Sequence, residues 1–437
     1  MMQMKIRSNE LILYRDFDCS KEILDNAAFI LSGSAADEEE QKDRVSRFAG
    51  SLIELAVNCG YNGNLWQAYL TYLIANSENA YSTSCEMKGE VPGTVRDAAL
   101  HDFAIFRQMF MIDLSAFDKM GSNYISGLIG SFEAADDRSR TYNSRIRDRI
   151  IELRDELAAS SSDVEFEKSF AQFYKEFGVG RFGLHKAFRV EHINGHADIV
   201  PITNIMHVYL EDLVGYESAK KKLIDNTEAF LDGRPCNNCL LYGDAGTGKS
   251  SSIKGILNRY YDRGLRIIEL YKHQLQDLND VIAQIKNRNY RFIIYMDDLS
   301  FEDFETDYKY LKAVIEGGLE KKPGNILIYA TSNRRHIVRE KYSDREESDD
   351  DLHRNDTVQE KLSLSYRFGI SIYFGRPDKK EFDNIVRTLA NRYGIKMDEK
   401  ELLLEANKWE LGSGGMSGRC ARQFIDHLRG QMKQEEE

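Results

Sequence analysis

The chain has 437 residues, 42% apolar and 30% charged, with a net charge of −12. That length exceeds one ordinary core and the composition is that of soluble globular proteins, so two or three domains are expected. No run approaches ~18 apolar residues, which argues against a membrane span, and the acid excess argues against direct nucleic-acid binding through bulk charge.

The opening stretch "MMQMKIRSNELILYRDF" lacks the apolar centre and small-residue cleavage site of a secretory signal, so the cytoplasm is the expected compartment. From there to about residue 185 the spacing predicts an all-helical N-terminal domain. Val45, Phe48, Leu52 and Cys59 recur at helical intervals, as do Leu65, Tyr69, Tyr72 and Leu73, then Phe103, Phe106, Phe110 and Leu114. Phe166, Phe170, Phe173 and Phe177 form a further stripe, closed by Gly178, after a polar joint from Ala159. Such aromatic stripes are core rather than ligand boxes, and no catalytic constellation stands out here. Residues 186–209 read as a linker.

From about Leu210 short apolar runs alternate with helical stretches: "CLLYG", "LRIIEL", "RFIIYM", "NILIYAT" and "ISIYF". Runs apolar throughout suit parallel strands covered on both faces, and the alternation predicts a doubly wound α/β domain over 210–376. Cys236 and Cys239 stand at the entrance of the first of these strands, where buried apolar thiols are the expected reading rather than a redox or zinc pair. After Pro377 three helical stretches follow, with Asp378 and Asp398 as N-caps and Gly394 as a C-terminal cap, so 377–437 reads as a small helical domain.

Gly243-Asp244-Ala245-Gly246-Thr247-Gly248-Lys249-Ser250 fits G-x-x-x-x-G-K-[ST] between a strand and a helix. Its glycines let successive N–H groups point at phosphate oxygens, and the helix starting there, through Ser251, aims its positive end at the same place. Lys249 can reach the β- and γ-phosphates, and the Ser250 hydroxyl can ligate Mg²⁺. Asp297 and Asp298 end the strand "RFIIYM": Asp297 is placed to hold the metal, and Asp298 is the first candidate base for the attacking water, with Glu302 as the backup. A further buried strand ends at Thr331-Ser332-Asn333, where the Asn333 amide can sense the γ-phosphate or the water. The charge run Ser343–Asp356 reads as a solvated loop.

Together, the Gly243–Ser250 loop, "FIIYMDD", "ATSN" and the trailing helices resemble an AAA+ ATPase. "LLYGDAGTGKSS", "YMDDLSFE", "IYATSNRRH", "EKLSLSYRFG" and "SGRCARQFID" resemble one mostly bacterial, uncharacterised subfamily of that class, over roughly residues 210–430. The resemblance implies a P-loop core with a five-stranded parallel sheet and a small C-terminal helical lid. It implies ATP and Mg²⁺ as cofactors and self-assembly into a ring or open oligomer. Residue by residue, "LEDLVGYE" matches the segment lining the adenine at Val214, Gly215 and Tyr216. "LSYRFGI" matches the stretch that points an arginine, Arg367, at a neighbour's γ-phosphate. "GMSGRCARQF" matches the lid helix that senses nucleotide, through Arg419 or, as second choice, Arg422. The second motif ends Asp-Asp where most members read Asp-Glu, which implies hydrolysis but slow turnover. The segment "YKHQLQDLNDVIAQIKNRNY" has no aromatic pore loop of the threading kind. The expected function is therefore a slow ATPase serving as a switch, loader or remodeller, with the N-terminal helices holding a protein client. The alternatives are an ATP-binding adaptor with little hydrolysis and a P-loop kinase of small molecules.

Overall fold

The computed structural model describes residues 6–17, 21–35, 37–118, 124–134, 139–142, 144–193, 195–203, 205–206, 208–302, 307–316, 323–335, 337 and 364–431. The charge run 343–356 lies outside them. The chain divides into two compact units, 1–185 and 186–437. Among the described residues no helix is long and apolar enough to cross a membrane.

The first unit is helical. The long helix Glu38–Cys59 starts where the Asp37 side chain accepts the Glu40 N–H, and three glutamates in its first turn oppose the positive helix end. It ends at Gly60, whose left-handed backbone returns an N–H to the Ala56 carbonyl. The anticipated aromatic stripes face inward: Phe48, Phe103, Phe106, Phe110, Phe166 and Phe170 are wholly buried in one core. Ser162, in the polar joint, caps the helix Asp163–Phe177, and Gly178 closes it. The buried Asp102 carboxylate accepts the N–H groups of Ile12, Leu13 and Tyr14, so the unit's first described segment is tied to its core by a charge-assisted set.

The second unit is built on one seven-stranded sheet of order β2-β1-β4-β5-β6-β3-β7. Its strands are β1 (Ala187–Ile193), β2 (His196–Pro201), β3 (Cys239–Gly243), β4 (Leu265–Glu269), β5 (Arg291–Met296), β6 (Ile326–Ser332) and β7 (Ile370–Phe374). Strands β3 to β7 make the expected five-stranded parallel P-loop core. The segment read as a linker instead carries β1 and β2, an antiparallel hairpin that adds to the β4 edge. It escapes an apolar-run reading because "AFRVEHI" and "HADIVP" interleave charged residues on a half-exposed edge. Every residue of β6 is buried, as a central parallel strand requires.

Three helices, Lys379–Arg392 (here called the first lid helix), Glu399–Gly412 and Gly418–Gln431 (the last lid helix), pack around Phe382, Val386, Ala406, Ala421, Phe424 and Ile425. Asp378 and Glu381 form a reciprocal capping box, and Asp398 accepts from the Lys400 and Glu401 N–H groups. Gly394 sits one residue past the cap with φ +66°.

Candidate functional site

β3 runs into the phosphate loop at Gly243, where φ is +136° and a Cβ would lie 2.1 Å from the Phe374 carbonyl oxygen of β7. That same oxygen accepts the Asp244 N–H at 3.1 Å. A side chain at 243 therefore breaks both the loop's entry and the β3–β7 seam. Gly243→Ala is expected to destabilise the second unit by roughly 2–4 kcal/mol, seen as a lowered thermal unfolding midpoint of the full chain. A wild-type midpoint would contradict this close approach.

Gly246 and Gly248 also take positive φ, +77° and +95°, and the helix Lys249–Tyr260 starts directly after them. Its free N–H groups and positive end face the cleft, the general anion site of helix N-termini. Lys249 is buried, and its three donors are all engaged: Nζ donates to the Gly243 carbonyl at 2.8 Å, the Asp244 carbonyl at 2.7 Å and Asn333 Oδ1 at 3.0 Å. Burial lowers the Lys249 ammonium below the usual lysine range, against the pull of Asp298, Asp244 and Asp297.

The acids lie across from it. Ser250 Oγ donates to Asp297 Oδ1 at 2.7 Å. Burial raises the Asp297 carboxyl, but hydrogen bonding by Thr331, Tyr295 and Ser250 and the charge of Lys254 outweigh that and hold it below the carboxylate range. An anionic carboxylate and a hydroxyl are hard oxygen donors of the kind a Mg²⁺ site uses, so the residues present fit that ion. Asn333 Nδ2 donates to Asp298 Oδ1 at 2.8 Å, so Lys249, Asn333 and Asp298 form one connected chain.

Asp298 itself has φ +48°, one of two non-glycine residues in that region among the described residues. Asp and Asn enter left-handed backbone far more readily than longer side chains do. The local bend thus gives a physical reason for Asp-Asp where Asp-Glu is usual.

These groups line one cleft of about 740 Å³. Of the residues singled out in the sequence, Val214, Tyr216, Ala245, Gly246, Thr247, Gly248, Lys249, Ser250, Ser251, Asp297, Asp298, Asn333 and Arg419 lie on its wall, with Arg422 beside them. Gly243 and Asp244 border a neighbouring hollow of about 470 Å³ that also reaches Asn333. Asp244 faces Arg376, which donates its N–H at 3.2 Å and brings Nε to 3.4 Å, so it ties the loop to the entry of the lid. Gly215, Glu302 and Arg367 are absent from the cleft lining. Glu302 lies 3.9 Å from Arg334, and Arg367 sits half-buried on a helical turn at 364–367 just before β7.

Several wall residues had no motif to announce them. Met206 and Val208 come from the segment ahead of β3, and Ile385 and Leu389 from the first lid helix, while Asp212 and Leu213 lie inside the "LEDLVGYE" stretch already matched to the adenine wall. Arg392 of that helix donates to the Glu211 carbonyl at 3.1 Å and pairs with Asp212 at 2.9 Å, and the Arg419 N–H of the last lid helix donates to the Gly246 carbonyl at 3.1 Å. Helix spacing of four puts Ile385 and Leu389 on one face, but the sequence alone reads that stripe as lid core.

Known proteins resemble this chain to different degrees. A 73-residue stretch is 37% identical to the replication factor C large subunit of Staphylothermus marinus, over 16% of this chain and 16% of that one. Among solved structures, the Thermotoga maritima RuvB Holliday junction branch migration motor matches with a TM-score of 0.37 at 17% identity, covering 51% of this chain and 65% of that one. A mutant form of Thermotoga maritima RuvB matches with a TM-score of 0.38 at 17% identity, covering 52% and 67%. Likeness that loose carries no function across, and the chain spans under a fifth of the curated relative. Residues 183–432, more than half of the chain, match the model of a family described as "Protein of unknown function (DUF815)". The chain belongs to that family.

Proposed function

We propose that the chain binds ATP with Mg²⁺ in this cleft and hydrolyses it slowly, as a nucleotide-driven switch, loader or remodeller of a protein client held by its helical first unit. The observation that carries the reading is the Lys249–Asn333–Asp298 chain, which links the phosphate loop to the candidate base through one amide. In this reading the loop N–H groups and Lys249 hold the phosphates. Val214, Tyr216 and the lid's Ile385 and Leu389 enclose the base, and Arg419 lies over the loop. Asn333 orients the attacking water, and Asp298 accepts its proton. Mg²⁺, held by Ser250 and Asp297, would supply charge neutralisation on the phosphate oxygens.

Slow turnover is supported by the position of Asp298. Its carboxylate is one methylene shorter than a glutamate's, which sets it further from the water, and Asn333 already occupies one of its two oxygens. An adaptor that binds ATP and barely cleaves it would use the same contacts.

The test is ATP turnover by the purified full chain in Mg²⁺ without any acceptor. Phosphate release is expected, and Asp298→Asn should lower it by about 10² or more while leaving nucleotide affinity intact, because Asn tolerates the same backbone. ADP formation only when a small-molecule acceptor is added would replace this reading with a kinase.

A further inference from the structure

The base-side wall of the cleft is made of two pieces, and one guanidinium joins them. The first piece is the strap 208–216 ahead of β3, which is fixed to the helix Lys249–Tyr260 at three points. Asn258 Nδ2 donates to the Val208 carbonyl at 2.8 Å. Gly255 admits the backbone of Leu210, whose nitrogen would lie 3.1 Å from a Cβ placed there. Arg259 pairs with Glu211 at 3.3 Å. Further along, the buried Lys220 donates Nζ to the Leu213 carbonyl at 2.7 Å, and the Tyr216 hydroxyl donates to the Gly375 carbonyl at 3.0 Å. The strap is thus part of the sheet domain.

The second piece is the first lid helix. Ile385 and Leu389 belong to the lid core and also line the cleft, and Val214 of the strap packs against that same core. Arg392 follows Leu389 by three residues, on the same face, at the last position of the helix, where the carbonyl end favours a cation. Its Nη1 meets Asp212 Oδ1 at 2.9 Å, and its Nη2 donates to the Glu211 carbonyl at 3.1 Å. One planar fork thus grips a carboxylate and a main-chain oxygen together, which a single ammonium does poorly. The two side chains are 33% and 39% exposed, so the pair adds little to overall stability and its consequence is positional. Two other ties of the lid, from the Arg419 N–H to Gly246 and from Arg376 to Asp244, reach the phosphate loop, whereas Arg392 ties the base side.

We propose that Arg392 is a positioning residue for the base of the nucleotide: by clasping Glu211 and Asp212 it sets the gap between Val214 on the strap and Ile385 and Leu389 on the lid, into which the base fits. The inference rests on the cleft being a nucleotide site. Arg392 is absent from the cleft lining and acts through those three apolar residues. A wall held at the right spacing before the ligand arrives loses less freedom when it binds, so the clasp strengthens the contribution of the base and leaves that of the phosphates alone.

The experiment compares the full-length wild type with Arg392→Ala and Arg392→Lys. Each is titrated calorimetrically in Mg²⁺ with a non-hydrolysable ATP analogue and with inorganic tripolyphosphate, which carries the phosphates without the base. Thermal unfolding is followed without ligand. Arg392→Ala is expected to lower affinity for the analogue by about 10-fold and to leave affinity for tripolyphosphate within about twofold of wild type. Arg392→Lys keeps the stem and the charge, so it should unfold as the wild type does while losing most of the same base-dependent affinity. It therefore decides the matter even if the alanine variant folds poorly. Wild-type affinity for the analogue in both variants would overturn the role of Arg392. Equal losses for the analogue and for tripolyphosphate would overturn it too, since a general brace of the domain behaves that way. A wild type that binds neither ligand would instead remove the reading of the cleft, and this inference with it.

Discussion

Lys249→Ala is expected to abolish measurable ATP binding, with affinity falling by about 10² or more. The estimate follows from the contacts. A charge-assisted hydrogen bond is worth roughly 1.5–3 kcal/mol, and an ammonium bridging two phosphates makes at least two of them. In the structure the same three N–H groups are spent on the Gly243 and Asp244 carbonyls and on Asn333. Triphosphate must displace part of that set, so the ammonium is already at the cleft floor and only changes partners. Removing it also takes from Asp244, Asp297 and Asp298 a cation that helps offset them. Local loosening is therefore a competing explanation for lost binding. Lys249→Met with thermal unfolding separates the two: it keeps the buried stem and deletes the charge with its three donors, so lost binding at an unchanged unfolding midpoint is loss of the phosphate contact. Calorimetry with Mg²⁺ and the ATP analogue should find both variants silent while Lys249→Met retains the wild-type unfolding profile. Retention of affinity within about threefold by Lys249→Met would mean that the loop does not hold phosphate through this side chain.

What the sequence made legible depended on whether the chemistry was contiguous. The loop Gly243–Ser250 could be read because strand, glycines, lysine and helix follow one another without interruption, and the five-stranded core followed from runs apolar throughout. The helical first unit was legible through its aromatic spacing, since each stripe faces one core. Residues whose role arises only from strand pairing stayed hidden. Thr331 sits at the end of an apolar run and looks like core, and only the β5–β6 register brings it to Asp297. The base-side wall was hidden for a similar reason: Met206 and Val208 precede β3 by some thirty residues, and Ile385 and Leu389 come from beyond β7. The hairpin β1–β2 was missed because a half-exposed edge mixes charge with apolar residues and mimics a linker.

Arg367 leads to the other large effect. It is half-buried on the turn before β7, and the cleft lining of its own chain does not include it. A guanidinium that serves catalysis from there must serve a second copy, as arginine fingers supplied in trans do. Arg367→Ala should then bind ATP within about threefold of wild type and hydrolyse it about 10³-fold more slowly. A loss of that size alone does not distinguish a trans finger from a distorted fold. Mixing does. Lys249→Ala chains cannot hold nucleotide but keep Arg367, whereas Arg367→Ala chains hold nucleotide but lack the finger. Head-to-tail contacts would bring one chain's cleft to the next chain's Arg367. Random mixing of equal amounts restores a complete site at about a quarter of such contacts. Phosphate release from the mixture should therefore rise well above that of either variant alone, and should rise with protein concentration as assembly proceeds. Sites complete within one chain would leave the mixture at the average of its parts, because neither variant then has anything to lend the other.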